Sequence, residues 1–187
     1  MFKLVDISLM NEEERNKILE VVYNNVPQTY AEYFKKYGKS RWPLEKLQQK
    51  VQGEYQLAVI GEESGDMVFY QAVSKPKQVE GRNCSKIGFT MFGEDVKDRR
   101  AIKRDGIRFL EREITQQPNQ TLFVEVPEDF VPIRRFYERD VEFQVSKDND
   151  KTLAVLKAFG RDIKTFRGYS YITQNTPIYH CMLLKRL

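Results

Sequence analysis

The sequence predicts an α/β fold with helices flanking one mixed β-sheet, and three observations predict it. Runs in which apolar residues alternate with period two are separated by runs of helical period. Read along the chain, they give the order strand, helices, three strands, helix, strand, helix, two strands, which is a layered α/β layout. Hydrophobic residues make up 41% of the 187 positions and charged residues 31%, enough apolar material for one complete core. The expectation is a single domain over residues 1–187.

The first strand is expected over Phe2 to Ser8. A helix follows, capped by Asn11 with Glu14 placed for a capping box and Glu12 and Glu13 suited to the positive end of the dipole. Ile18, Leu19 and Val22 form its inner face, and Pro27 is expected to end it. A second helix is read from Gln28 to Tyr37 with Gly38 as a left-handed stop. A third opens at Pro43, carries Leu44, Leu47 and Val51 as its stripe and closes at Gly53. Tyr55 to Ile60 and Met67 to Val73, joined by a turn through Gly65, read as a hairpin.

After a polar loop containing Pro76 and Gly81, Ser85 to Phe92 is a strand that Gly93 breaks. From Asp98 to near Pro118 the period is helical. Ile102, Gly106, Phe109, Leu110 and Ile114 share one face, opposite a stripe of Arg100, Arg104, Arg108 and Arg112. Glycine inside a helix costs roughly 1 kcal/mol relative to alanine, so Gly106 predicts close packing against the sheet. Thr121 to Val126 is a strand, Asp129 to Arg139 a helix with Pro132 in its first turn, and Glu142 to Val145 and Ile178 to Leu184 the last strands. Residues 146–175 read as an insertion between those two strands. It holds a short helix, Leu153 to Phe159, stopped by Gly160, and an aromatic, basic run from Lys164 to Tyr171. The aromatics either line an acceptor pocket or pin the insertion to the domain.

The net charge of +4, the difference of 31 basic and 27 acidic residues, gives no argument for a nucleic-acid partner. The opening residues lack the apolar core of a signal peptide, and no run approaches the roughly 20 apolar residues of a membrane span. A cytoplasmic protein without membrane contact is expected. Cys84 and Cys181 have no CxxC spacing and His180 is the single histidine, so no metal site is expected. Both cysteines read as buried and reduced.

Three local sequences then resemble the GNAT superfamily of acyl-CoA-dependent N-acyltransferases. Ile133-Arg134-Arg135-Phe136-Tyr137-Glu138-Arg139 followed by Phe143 resembles the family's helix ending in FYE before a strand beginning GF. Leu122 to Val126 is similar to the strand that precedes that helix, and Gly106 to Glu111 resembles the end of the pyrophosphate motif R/Q-x-x-G-x-G/A. Departures accompany the match. With Gly106 as the last motif position, Ala101 and Arg104 replace its first two markers, and Tyr137 to Phe143 is one residue longer than the family spacing.

The resemblance implies acyl transfer, acetyl in particular, from CoA to a small-molecule or peptide amine. Tyr137 matches the family's tyrosine acid, and the alternative is a packing aromatic. The pantetheine arm would be held by the backbone near Met91 and Phe92. Its phosphates would be held by Arg99, Arg100, Lys103 and Arg104 beside a helix start ending in Gly106. The basic stripe also reads as a solvated face or a nucleic-acid surface, diluted by Asp105, Glu111 and Glu113. Glu125 lies opposite Val124 and Val126 and is a general base or, more in keeping with a half-exposed sheet, a solvent-facing carboxylate. Glu94 competes for that base role. His180, with no acid nearby in sequence, reads as a buried structural histidine. The alternative to an enzyme is a binding module on the same fold without CoA-dependent activity.

Overall fold

A computed structural model of the chain describes residues 1–115, 118–174 and 176–187, and of Gln28, Thr176 and Pro177 only the backbone. The chain forms two compact units, Met1–Lys75 with Gly88–Glu113 and Pro76–Ile87 with Ile114–Leu187.

In the first unit, β1 (Phe2–Asp6) pairs antiparallel with β2 (Leu57–Glu63), and β2 with β3 (Asp66–Val73). The next strand in the order is β5 (Arg82–Phe92), whose last five residues belong to this unit. Helix α1 (Glu12–Thr29) begins as expected, with Asn11 Oδ1 accepting from Glu14 N at 2.9 Å. Its end differs from expectation, because the helix runs through Pro27. Proline has no N–H for the carbonyl of residue 23. Arg41 Nη1 reaches that Tyr23 carbonyl at 3.5 Å while its guanidinium lies 4.0 Å from the Tyr23 ring centre. Helices α2 (Ala31–Tyr37) and α3 (Leu44–Gly53) follow, with Gly38 in the left-handed stop at φ 59°. Leu19, Val22, Leu47 and Val51 pack with Ala58, Ile60, Tyr70, Ala72 and Met91 to form this unit's core.

That core buries the Tyr70 ring, whose hydroxyl has no hydrogen-bond partner among the described residues. An unpaired buried hydroxyl forfeits its hydration without return. Tyr70→Phe is therefore expected to leave stability unchanged or raise it by about 1 kcal/mol in urea unfolding; a loss of that size would contradict the assignment.

Helix α4 (Arg99–Ile114), through Glu113, completes the first unit. Asp98 caps it, its Oδ1 accepting from Ala101 N at 2.9 Å. The helix ends at Ile114, with Thr115 already in a turn, short of the expected end near Pro118. A Cβ on Gly106 would come within 2.5 Å of Phe69 Cε1, so this glycine seats the helix on β3, as its cost to the helix predicted.

The second unit holds β4 (Lys77–Val79) on the first part of β5, then β6 (Gln120–Pro127), β10 (Thr176–Arg186), β9 (Ser170–Thr173) and β8 (Ile163–Arg167) in that order, with β7 (Gln144–Val145) also on β10. The β5–β6 pair is parallel, from Asn83↔Gln120 to Ile87↔Val124, and the sheet is mixed for that reason. Between β6 and β7, helix α5 (Val131–Arg135) passes into a π-helical turn, Phe136–Asp140. The stretch 146–175 differs from a loop with one helix. It contains α6 (Asn149–Ala158), which Asp148 caps through Lys151 N at 3.0 Å, and then the β8–β9 hairpin, which extends the sheet.

Candidate active site

Sheet register determines which second-unit side chains meet. Residues directly paired across strands share a face. Lys86↔Phe123, Glu125↔Met182, Pro127↔His180 and His180↔Tyr171 therefore put Lys86, Glu125, His180 and Tyr171 on one side. The same side carries Cys84, Phe123 and Met182, covered by Val155, Leu156 and Phe159 from α6 and its end. Gly160, at φ 71°, then turns the chain and delivers Arg161.

Glu125 is the centre of this group. Lys86 Nζ lies 2.6 Å and Arg161 Nε 3.5 Å from Oε2, and the Tyr171 hydroxyl donates to Oε1 at 3.3 Å. Its side chain is only 11% exposed, so the expected solvent-facing carboxylate is corrected to a buried, ion-paired one. Burial raises the carboxyl pKa, but the charges of Lys86 and Arg161 outweigh it and hold the group below its ordinary value. A carboxylate so held is a weak base. Burial and the adjacent carboxylate push the Tyr171 phenol well above 10.

His180 is the functional candidate that the sequence did not reveal. Burial lowers its pKa, which Glu125 opposes in second place, so the ring is neutral near pH 7. Nδ1 lies 2.8 Å from the Ile178 carbonyl, which can only accept. The proton therefore sits on Nδ1, and Nε2 keeps its lone pair. No acid is near His180 in sequence; only the β6–β10 register brings Glu125 diagonally beside it.

Tyr137 lies in the π-helical turn with its ring buried between Phe136 and Phe143, at centroid distances of 5.3 and 5.4 Å, and its carbonyl accepts from Phe143 N at 2.8 Å. A π turn accommodates one residue more than an α turn, and Tyr137 is the second residue of this one.

The residues expected to hold a cofactor lie in the first unit, and their settings differ from one another. Arg100 is exposed, and Arg99 and Arg104 are half-buried. Arg99 stacks over the Phe92 ring at 5.8 Å, and Arg104 pairs with Asp105 at 3.2 Å. Lys103 is turned inward and 7% exposed, and burial pushes its pKa down to about 7. Gly106 is committed to Phe69, and Asp98 already occupies one donor of the helix start.

Lys103 carries a pH signature. Below pH 7 folded and unfolded chains both hold its proton, and folding bears the desolvation of that charge. Between about 7 and 10.5 the unfolded chain binds more protons, so wild-type stability rises with pH. Lys103→Met is expected to raise the melting temperature most at pH 6, with a gain that shrinks toward pH 10.5. A pH-independent gain would contradict the burial of a charged amine.

Strand β5 is irregular where these residues begin. The consecutive carbonyls of Gly88 and Phe89 both accept from Gln71 Nε2 at 3.0 Å, whereas in a regular strand neighbouring carbonyls face opposite edges. The buried Gln71 also accepts from Thr90 Oγ1 at 2.7 Å, which holds this irregularity in place. Beyond it Gly93 N donates to Val68 O on β3, so the N–H groups of Thr90 and Phe92 face the other edge.

Comparison with solved structures gives full-length matches. An N-acetyltransferase from Staphylococcus aureus superposes with a TM-score of 0.60 at 12% identity, covering 98% of this chain and 96% of that one. A GNAT-family acetyltransferase from Listeria monocytogenes gives 0.58 at 13%, covering 100% and 95%. The chain has the GNAT fold. A chain of the NatC complex, solved with Gag peptide and CoA, shares this GNAT fold at a TM-score of 0.58 and 11% identity, over 100% and 98% of the two chains. No family sequence model matches the chain, and no curated protein matches it in sequence. Among the described residues no helix is long and apolar enough to cross a membrane, and no cluster of His, Cys, Asp or Glu could hold a metal ion.

Proposed function

We propose that this GNAT-fold chain is an N-acyltransferase that moves an acyl group, acetyl foremost, from CoA to the amine of a small molecule or peptide. The observation that carries the reading is the match over nearly the whole of both chains to acetyltransferases. The amine lone pair attacks the thioester carbonyl, a C–N bond forms, the C–S bond breaks, and the amine proton goes to a base while the thiolate takes one from an acid. Tyr137 is assigned as the acid, on the FYE match. The carboxylate assigned from sequence, Glu125, acts through His180: it sets the field in which neutral Nε2 accepts the amine proton. The His180 geometry and the cation-saturated state of Glu125 support that division.

The phosphates of acyl-CoA are assigned to Arg99, Arg100 and Arg104, and the backbone of Met91 and Phe92 to its pantetheine amides. Lys103 and Gly106 are assigned to the seating of α4, which their burial and the Phe69 contact support. Free CoA thiol released from acetyl-CoA in the presence of a panel of primary amines and peptides tests the reading. Release should require an acceptor and fall below pH 6.5 as His180 is protonated. A binding module without turnover is the second reading, favoured by the Asp98 carboxylate at the helix start; it predicts no release with any acceptor.

A further inference from the structure

The two N–H groups of β5 that face away from β3 are already engaged. Thr90 N donates to the Tyr30 hydroxyl at 2.7 Å, and Phe92 N to Thr29 Oγ1 at 3.2 Å. Thr29 and Tyr30 form the junction between α1 and α2, where Tyr30 leaves helical geometry at φ −112° and ψ 16°. The Thr29 hydroxyl serves both sides, donating to Asn25 O at 3.1 Å while it accepts from β5. Tyr30 is flanked by the rings of Tyr33 and Phe34 at 6.1 and 6.0 Å, and burial pushes its phenol up to about 12. Two side-chain oxygens thus stand where an added strand, or any extended ligand bearing amide carbonyls, would accept hydrogen bonds.

Resting on the acyl-CoA reading above, we propose that Thr29 and Tyr30 hold acyl-CoA affinity down, because the pantetheine amides bind β5 only by displacing these hydroxyls from Thr90 N and Phe92 N. The junction is suited to such an exchange. Pro27 leaves the last turn of α1 without one of its own backbone hydrogen bonds, and the contacts to β5 use two hydroxyl groups. Released, both hydroxyls find partners in water, so the exchange substitutes one set of neutral hydrogen bonds for another.

The test is titration of wild type, Thr29→Val, Tyr30→Phe and the double variant with acetyl-CoA, with Thr29→Ser as the conservative control. A second readout is NMR of tyrosine labelled with 13C at Cζ, with Tyr30 assigned by its absence in Tyr30→Phe. Affinity is expected to rise roughly 2- to 12-fold for each hydroxyl removed, the range of one neutral hydrogen bond, and Thr29→Ser should bind like wild type. The Tyr30 signal should move on saturation, as its phenol leaves Thr90 N and enters water, which relieves the burial that raises its pKa. Equal affinity in all proteins with an unmoved Tyr30 signal overturns the proposal and leaves the acyl-CoA reading intact. Weaker binding in the variants also overturns it, since Thr29 and Tyr30 would then hold the ligand. No binding by any of them removes the acyl-CoA reading, and the proposal falls with it.

Discussion

Glu125→Gln is expected to cost about 3–5 kcal/mol of stability, the range for removing one partner of a buried ion pair. Lys86 is 3% exposed, and without the carboxylate its ammonium has lost the charge 2.6 Å away that offsets its desolvation. Arg161, 25% exposed, can turn toward water, so Lys86 carries most of the loss. The control is a pair of apolar replacements, Lys86→Met with Glu125→Leu, which should regain most of the stability because neither charge is then buried. Denaturant unfolding of the two single variants and the double one measures the coupling. A change below about 1 kcal/mol in Glu125→Gln, the size expected of a surface pair, would contradict a buried one. The acid limb carries the same signature. With its folded pKa held below 4.5, Glu125 contributes stability that is fully present above that value and is lost as pH falls through the folded pKa. Wild type should therefore lose its advantage over Glu125→Gln progressively below pH 4.5.

Tyr137→Phe is expected to lower turnover by about 10²- to 10⁴-fold, the usual worth of a positioned general acid, with little change in acetyl-CoA affinity. The ring stays in place between Phe136 and Phe143, so stability should move by only about 1 kcal/mol, the scale of one hydrogen bond. Steady-state kinetics with a fixed acceptor, beside a melting curve, separates the two effects. Unchanged turnover would return Tyr137 to the role of a packing aromatic.

Local signals in this chain are legible from sequence because each is settled within a few residues. Asn11 with Glu14, Gly38, the β2–β3 hairpin and the Gly160 stop all follow from caps, turns and period. Pro27 misled because it removes one backbone hydrogen bond without stopping the helix, and the Tyr23 carbonyl it leaves is reached by Arg41, far along the chain. The β8–β9 hairpin was obscured by charged and aromatic residues on an edge, where strands need no clean alternation. Glu125 was legible as a candidate, but its setting was not. Lys86, Arg161, Tyr171 and His180 are spread over almost a hundred positions; strand register brings Lys86, Tyr171 and His180 to Glu125, and the turn at Gly160 brings Arg161. That Lys103 turns inward was readable only once the phase of α4 against β3 was fixed by Gly106 on Phe69.

Calorimetric titration with acetyl-CoA, set beside CoA lacking its 3′-phosphate, tests the central claim most directly. The account predicts saturable binding of acetyl-CoA that weakens without the 3′-phosphate and weakens again in Arg100→Ala and Arg104→Ala. No heat and no thermal stabilisation at millimolar acetyl-CoA would contradict it and make this GNAT fold a binding module.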